Sequence, residues 1–356
     1  MTDLQQQVQD TLDELVGAGT ERGVQVAVYR DGEQLVDAVA GADATGRTIT
    51  NRNPVHAMST GKGVAATVVH VLAEQGVLSY DTRIAEYWPE FGVHGKGAAT
   101  LRDLLVHTVG LPYLPAGTTT ETMCDWEAMC TALAAATPEW EPGTQTGYHA
   151  QTWGFLVGEV IRRATGRPIS QVLRDDVAGP LGVADELYFG VPASALDRVS
   201  RVEQVPGYDE VLSFFPSPVP PTAEYCNRAD VLSSDIPAGG VMTARAVARM
   251  YAALLSEVDG VRLVGSGRLR EISAVAYEGQ DVVAGFPTKW ALGYGIGRPG
   301  TDPTPPTVFG MPGAGGSAAY ADTATGVAFA ITTTRLHGGT APALARVGDL
   351  VAEAVG

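Results

Sequence analysis

Ser59-Thr60-Gly61-Lys62 heads a run, Ser59 to Gln75, in which Val64, Val68, Val71 and Leu72 recur with helical period and Gly76 follows where a C′ stop belongs. A helix starting on this stretch puts residues i and i+3 on one face, so the Lys62 amine can reach the Ser59 hydroxyl. A serine hydroxyl becomes a nucleophile when a neighbour takes its proton, and lysine can do so only if burial or a nearby charge lowers its pKa from about 10.4. The plainer alternative is an exposed lysine on an ordinary helix, and four residues alone do not separate the two. Composition favours the first: of 24 basic residues, only Lys62, Lys96 and Lys289 are lysines. Arginine keeps its proton in a protein and lysine can lose it, so a lysine in an arginine-using chain marks a place where deprotonation can matter.

Outward from this helix the pattern divides. Leu4, Val8, Leu12, Leu15 and Val16 share one face of an amphipathic N-terminal helix. Val24 to Tyr29 and Gln34 to Ala40 flank Asp31-Gly32, a hairpin turn signal. Residues 80 to roughly 235 read as helices and Pro/Gly-punctuated loops, with apolar-periodic pieces at Leu101 to His107, Trp126 to Ala136, Trp153 to Ala164 and Ile169 to Val177. After Gly239-Gly240, a helix over Ala244 to Leu255 precedes strand-like runs at Leu292 to Ile296, Ala318 to Asp322 and Val327 to Thr334. Thr301 to Pro306 forms a short Pro-rich loop, and Ala341 to Val355 is helical.

Strands at both ends with helices between them predict an α+β chain. Residues 1–60 and 236–356 combine into a sheet domain, residues 61–235 form a mainly helical one, and the active site belongs in the cleft between them. At 356 residues the chain can bury a large core. A formal net charge of −16 argues against nucleic acid or an anionic membrane surface as a partner. No window approaches 18 apolar residues, and the N-terminus shows neither a basic nor an apolar signal region, which predicts a cytoplasmic protein. Cys124, Cys130 and Cys226 are odd in number and lack zinc or CxxC spacing, so neither a disulfide framework nor a metal site is indicated.

If Ser59 attacks a carbonyl, the site needs a group to manage the proton on Lys62, donors for the oxyanion and a substrate-facing strand. Tyr148, in Glu141-Pro142-Gly143-Thr144-Gln145-Thr146-Gly147-Tyr148-His149-Ala150, is the candidate for the first. Its phenol is either pushed toward phenolate beside a lysine ammonium or acts as the acid for the leaving group.

With these residues in order, the chain resembles the serine beta-lactamase and penicillin-binding-protein superfamily. The likeness is to its class C-like branch, which includes family VIII carboxylesterases, D-alanyl-D-alanine peptidases and related transacylases. Ser59-x-x-Lys62 matches the first motif, and Leu104 to Pro112 is similar to the segment after that helix. Glu141-Pro142-Gly143-Thr144 with Tyr148 matches the second motif, Gly239-Gly240-Val241-Met242-Thr243-Ala244 a later helix start, and Phe309 to Asp322 the third-motif strand. The resemblance implies a beta-lactamase-like antiparallel sheet flanked by the terminal helices, with an inserted helical lobe and no cofactor. It implies Ser59 as nucleophile, Lys62 as base or relay, and Tyr148 as the second acid/base residue. The backbone N–H groups of Ser59 and of Ala314, after Gly313, would form the oxyanion hole. Whether Lys62 or Tyr148 takes the serine proton stays open.

Two departures narrow the substrate. Tyr148-His149-Ala150 lacks the polar third residue of the usual second motif, and Met311-Pro312-Gly313 replaces the Lys or His that opens the third. Met311 cannot bind the carboxylate that beta-lactams and peptidoglycan stems present. The expected activity is therefore an acyl-enzyme reaction on an ester or activated acyl donor, as a carboxylesterase or, with an amine or alcohol acceptor, as a transacylase. The alternatives are a class C-like beta-lactamase or peptidase, or a non-catalytic binder on the same fold. His149 is expected to be structural, with the space left at Ala150 within its possible reach, and His107 to satisfy a local backbone bond. Trp290 and Tyr320 are the further cleft candidates.

Overall fold

Asp31 and Gly32 both have positive φ, 50° and 89°, which is the type I′ turn that matches the twist of a two-residue hairpin. The hairpin they close is the edge of the main sheet in the computed structural model, which describes residues 3–214, 216–298 and 305–355. Helix α1 (Leu4–Gly17) leads into β1 (Gly23–Arg30) and β2 (Glu33–Gly41). Helix α2 (Thr60–Glu74) follows, and α3 (Thr152–Thr165) lies in the mostly helical middle. The C-terminal part contributes α4 (Ala244–Leu255), β3 (Tyr277–Gln280), β4 (Pro287–Trp290), β5 (Gly295–Ile296), β6 (Val308–Pro312), β7 (Ala318–Asp322), β8 (Val327–Thr333) and α5 (Pro342–Val355). These eight strands form one antiparallel sheet in the order β2-β1-β8-β7-β6-β5-β4-β3, so the first hairpin closes against the last strand of that sheet.

Period-2 alternation gives this sheet two apolar faces. Val24, Val26, Val28, Phe329 and Ile331 pack under Val8 and Leu12 of α1 and Val347 and Val351 of α5. Ala27, Ala319, Ala330, Phe309 and Met311 point the other way, into the large core that holds α2 and α4. All of α2 from Thr60 to Ala73 is buried, as an all-round apolar helix must be. This depth takes Lys62 out of water.

Within the main sheet, one end differs from the sequence reading. Leu292-Gly293-Tyr294 is a buried turn, closed by the Tyr294 carbonyl accepting from the Ala291 N–H at 2.8 Å, and only Gly295–Ile296 pairs. A short apolar run does not distinguish a buried turn from a strand. β3 and β4 went unread because they form the half-exposed edge of the sheet, with polar residues alternating and Pro287 opening β4, where no ladder donor is needed. The Pro-rich loop expected over Thr301–Pro306 lies mostly outside the described residues.

Candidate active site

Ser59 sits at the N-cap of α2, half-buried, just after Met58 at φ 51°. A bulky residue in the left-handed region is strained, and that strain is held by packing from both sides. The Ala57 N–H donates to Gly240 O at 2.8 Å. A Cβ on Gly61 would stand 2.4 Å from Gly240 N, and one on Gly313 would stand 2.3 Å from Ala57 O. Glycine at both positions lets α2, the Gly239-Gly240 segment and the end of β6 meet backbone to backbone around the serine.

Lys62 Nζ lies 2.9 Å from Ser59 Oγ and donates to Ala238 O at 3.0 Å, with the amine 4.9 Å from the centre of the Tyr148 ring. Its residue is 1% exposed, and burial without a carboxylate partner lowers its pKa from 10.5 to about 7. Scarcity alone did not single this lysine out. Lys96 is as deeply buried, with its amine spent on the carbonyls of Val93 and Ala136, while Lys289 is exposed and paired with Glu278 at 2.9 Å.

Tyr148 enters from the loop before α3. Burial raises its phenol pKa; a side-chain hydrogen bond with Ser59 opposes the rise and the charge of Asp281 adds to it. The ring stacks on Trp290, with planes 5° apart and centroids at 5.9 Å. His107 lies against both rings, its centroid 4.6 Å from Trp290 and 4.9 Å from Tyr148, and burial pushes its pKa well down. Its Nδ1 accepts the His149 N–H at 3.1 Å, a backbone bond as expected but to a residue 42 positions away and not to a local one.

Asp281 was missed by the sequence reading. It is 1% exposed and its carboxylate accepts the backbone N–H of Tyr148 at 2.9 Å, Val283 at 2.9 Å and Ala284 at 2.7 Å. The outer hairpin is thereby fixed to the Tyr148 loop. The signal available was an aspartate two and three residues before the N–H groups it caps, a common turn arrangement that does not reveal a third, distant partner.

Ser59, Tyr148, Trp290, Met311, Gly313 and Ala314 all line one cleft of about 1320 Å³. The backbone N–H groups of Ser59 and Ala314 donate to no protein acceptor among the described residues. Two expectations are corrected. His149 is fully buried with both ring nitrogens occupied: Nε2 accepts the Leu111 N–H at 2.9 Å and Nδ1 donates to Gly147 O at 2.6 Å. Burial lowers its pKa to about 4, and it does not enter the space left at Ala150. Tyr320 lies on the opposite face of the sheet, stacked on Phe329 at 4.8 Å beneath the terminal helices. It pairs with Gly310, one residue out of phase with Met311, and neighbouring strand residues face opposite ways.

A serine at a buried helix start with a lysine one turn on, set between an antiparallel sheet and a helical lobe, has the form of the penicillin-recognising active-serine proteins. A family model described as Beta-lactamase matches residues 8–353, and the chain belongs to that family. It is 36% identical to the "Esterase/beta-lactamase LipL" of Mycobacterium tuberculosis, over 88% of this chain and 77% of that protein. Among solved structures, a family VIII carboxylesterase superposes with a TM-score of 0.90 at 30% identity, covering 99% of this chain and 98% of the other. A penicillin-binding protein homologue from Caulobacter crescentus superposes with a TM-score of 0.85 at 31% identity, again over 99% and 98%. No helix among the described residues is long and apolar enough to cross a membrane.

Proposed function

We propose that the protein is a serine acyl-enzyme hydrolase acting on carboxylic esters, with Ser59 as nucleophile, Lys62 as base and Tyr148 as acid. The observation that carries this reading is the 2.9 Å contact between Ser59 Oγ and a lysine amine whose pKa burial has brought to about 7. Near neutral pH much of that amine is unprotonated and can accept the serine proton. The same burial keeps Tyr148 a phenol, so the two candidate bases separate by environment and the tyrosine is left as donor.

In the first half-reaction Ser59 Oγ bonds to the ester carbonyl carbon while its proton passes to Lys62. The carbonyl electron pair moves onto oxygen, facing the Ser59 and Ala314 N–H groups at the positive end of α2. Collapse breaks the ester C–O bond, Tyr148 gives its proton to the departing alkoxide, and the Lys62 ammonium restores the phenol. Water then attacks the acyl-Ser59 carbonyl with Lys62 again taking the proton, the acid leaves, and the proton returns to Ser59. The net change is ester plus water to acid plus alcohol.

The similarity to a family VIII carboxylesterase and to an esterase/beta-lactamase supports ester cleavage. Carboxylate-bearing lactams and peptides fit less well, because Met311 supplies no charge and the other cations on the cleft wall are engaged. Lys289 pairs with Glu278, and Arg298 with Asp349 at 3.0 Å.

The test is turnover of short p-nitrophenyl esters together with intact-mass detection of an acyl adduct. Ser59→Ala should lose both, and retention of either removes Ser59 from the role. A wild-type chain that never acquires an adduct from an ester or an active-serine phosphonate would be a binder. Adding amine and alcohol acceptors to the same assay separates hydrolysis from acyl transfer, through the mass of the released product.

A further inference from the structure

The walls of the Ser59 cleft constrain the part of the substrate that does not react. Gln151 and the charged side chains there are held by protein partners. Gln151 donates to Val219 O at 2.8 Å and accepts from Ser217 Oγ, Lys289 and Arg298 are held by Glu278 and Asp349, and Asp281 is occupied by three backbone N–H groups. What remains for a ligand is mainly apolar: Met123, Leu212, Ile236, Ile296 and Met311 line the space, beside the uncharged hydroxyls of Tyr225 and Thr288. Its volume, about 1320 Å³, exceeds the roughly 300–1,000 Å³ of ordinary small-molecule pockets and far exceeds the need of an acetyl ester.

The mouth repeats the chemistry of the walls. Phe214, at the end of the short helix Tyr208–Ser213, and Phe286, in the β3–β4 hairpin, both line the cleft while 54% and 47% exposed. A single exposed aromatic is ordinary on a protein surface. Two of them, contributed by separate elements to the opening above one nucleophile, continue the apolar wall out to solvent.

We propose that this cleft takes esters whose acyl or alkoxy part is a long or bulky hydrocarbon without a carboxylate, held at the mouth by Phe214 and Phe286. For turnover this rests on the Ser59 ester reading; for binding it stands on the walls alone. Each methylene that leaves water for these walls strengthens transition-state binding about fourfold.

Two substrate series separate the acyl from the alkoxy side: p-nitrophenyl esters from acetate to dodecanoate, and alkyl acetates from ethyl to decyl. In at least one series kcat/KM should climb about fourfold per methylene over the first several carbons, and a flat or falling profile beyond four carbons in both overturns the proposal. Phe214→Ala and Phe286→Ala should each cut the ratio of the longest to the shortest substrate by about fivefold, and an unchanged ratio overturns their role at the mouth. Ser59→Ala, titrated with 1-butanol and 1-decanol and followed by tryptophan fluorescence, reads binding without turnover. Decanol should bind at least about tenfold tighter, and equal binding overturns the proposal whatever the kinetics show. Tight decanol binding with no Ser59 adduct in the wild type would instead overturn only the ester reading.

Discussion

The Tyr148 backbone N–H donates to Asp281 Oδ2 at 2.9 Å across 133 positions of sequence, while Oδ1 of the same carboxylate caps Val283 and Ala284. The two oxygens have separable jobs. Asn at 281 can keep its oxygen on the hairpin turn, but its amide then faces the Tyr148 N–H, donor against donor. Asp281→Asn should therefore lower kcat by about tenfold or more with a smaller change in KM, as expected when a buried donor loses its acceptor. A structural role alone would leave the pH profile in place. Because the Asp281 charge raises the Tyr148 pKa, removing it should also move the alkaline limb of kcat to lower pH. Steady-state kinetics across the pH range, with a thermal melt of the same sample, check both.

Replacing Lys62 should have opposite effects on activity and on stability. As the base it must be unprotonated, so kcat/KM for a neutral ester should rise with pH through about 7 and level off above it. Lys62→Arg, which cannot deprotonate, should lose on the order of a thousandfold. For stability, the folded-state pKa lies below the unfolded one, so between about 7 and 10.5 the unfolded chain binds more protons and stability rises with pH. Below that window the buried ammonium carries its full cost, on the order of a few kcal/mol. Lys62→Met should melt higher than wild type at about pH 6, less the cost of orphaning the Ala238 carbonyl, and its advantage should shrink toward about pH 10. An advantage that does not vary with pH would mean the amine is not desolvated.

Trp290 holds the Tyr148 ring by stacking, and its indole Nε1 is buried with no hydrogen-bond partner among the described residues. Trp290→Phe removes that unsatisfied donor while keeping an aromatic face against the phenol, so the loss of contact area is offset in part. Ester kcat/KM should stay within about threefold of wild type in Trp290→Phe and fall at least tenfold in Trp290→Ala, where the wall behind Tyr148 is gone. Equal losses in the two variants would place the indole N–H, and not the stack, in the mechanism.

The parts legible in the sequence are those whose chemistry is local. The Asp31-Gly32 hairpin, the period of α2 with its Ser59–Lys62 spacing, and the terminal helices each carry their own turn, cap or stripe. The outer hairpin β3–β4 carries only a common aspartate-led turn between strands of an exposed edge with polar alternation, and nothing local in it marks Asp281 as a partner of the Tyr148 loop. Tyr320 was misplaced through parity. Its strand was located, but which side of the sheet it faces depends on the Gly310–Tyr320 register, a long-range pairing that no local pattern states. His149 is a different case. Its structural role was legible, but its possible reach toward Ala150 is closed only by the Leu111 N–H, 38 positions away, with Gly147 O occupying the other nitrogen.

Met311 is where the substrate class can be put to a direct test. It is 4% exposed, lines the cleft, and lies against the first turn of α2, where a Cβ on Gly63 would come within 3.3 Å of its own. Met311→Lys places an ammonium beside Ser59 and Lys62. An opposite charge then becomes available to a substrate carboxylate, so turnover of nitrocefin or of a carboxylate-bearing ester should rise at least about tenfold relative to a neutral ester. The second effect is electrostatic and independent of substrate. A neighbouring cation disfavours protonated Lys62, so the acid limb of kcat/KM for the neutral ester should move below the wild-type midpoint near pH 7. A shifted limb with an unchanged substrate ratio would place the cation near the base yet out of reach of the carboxylate. The specificity would then be set by the apolar walls and not by the missing charge.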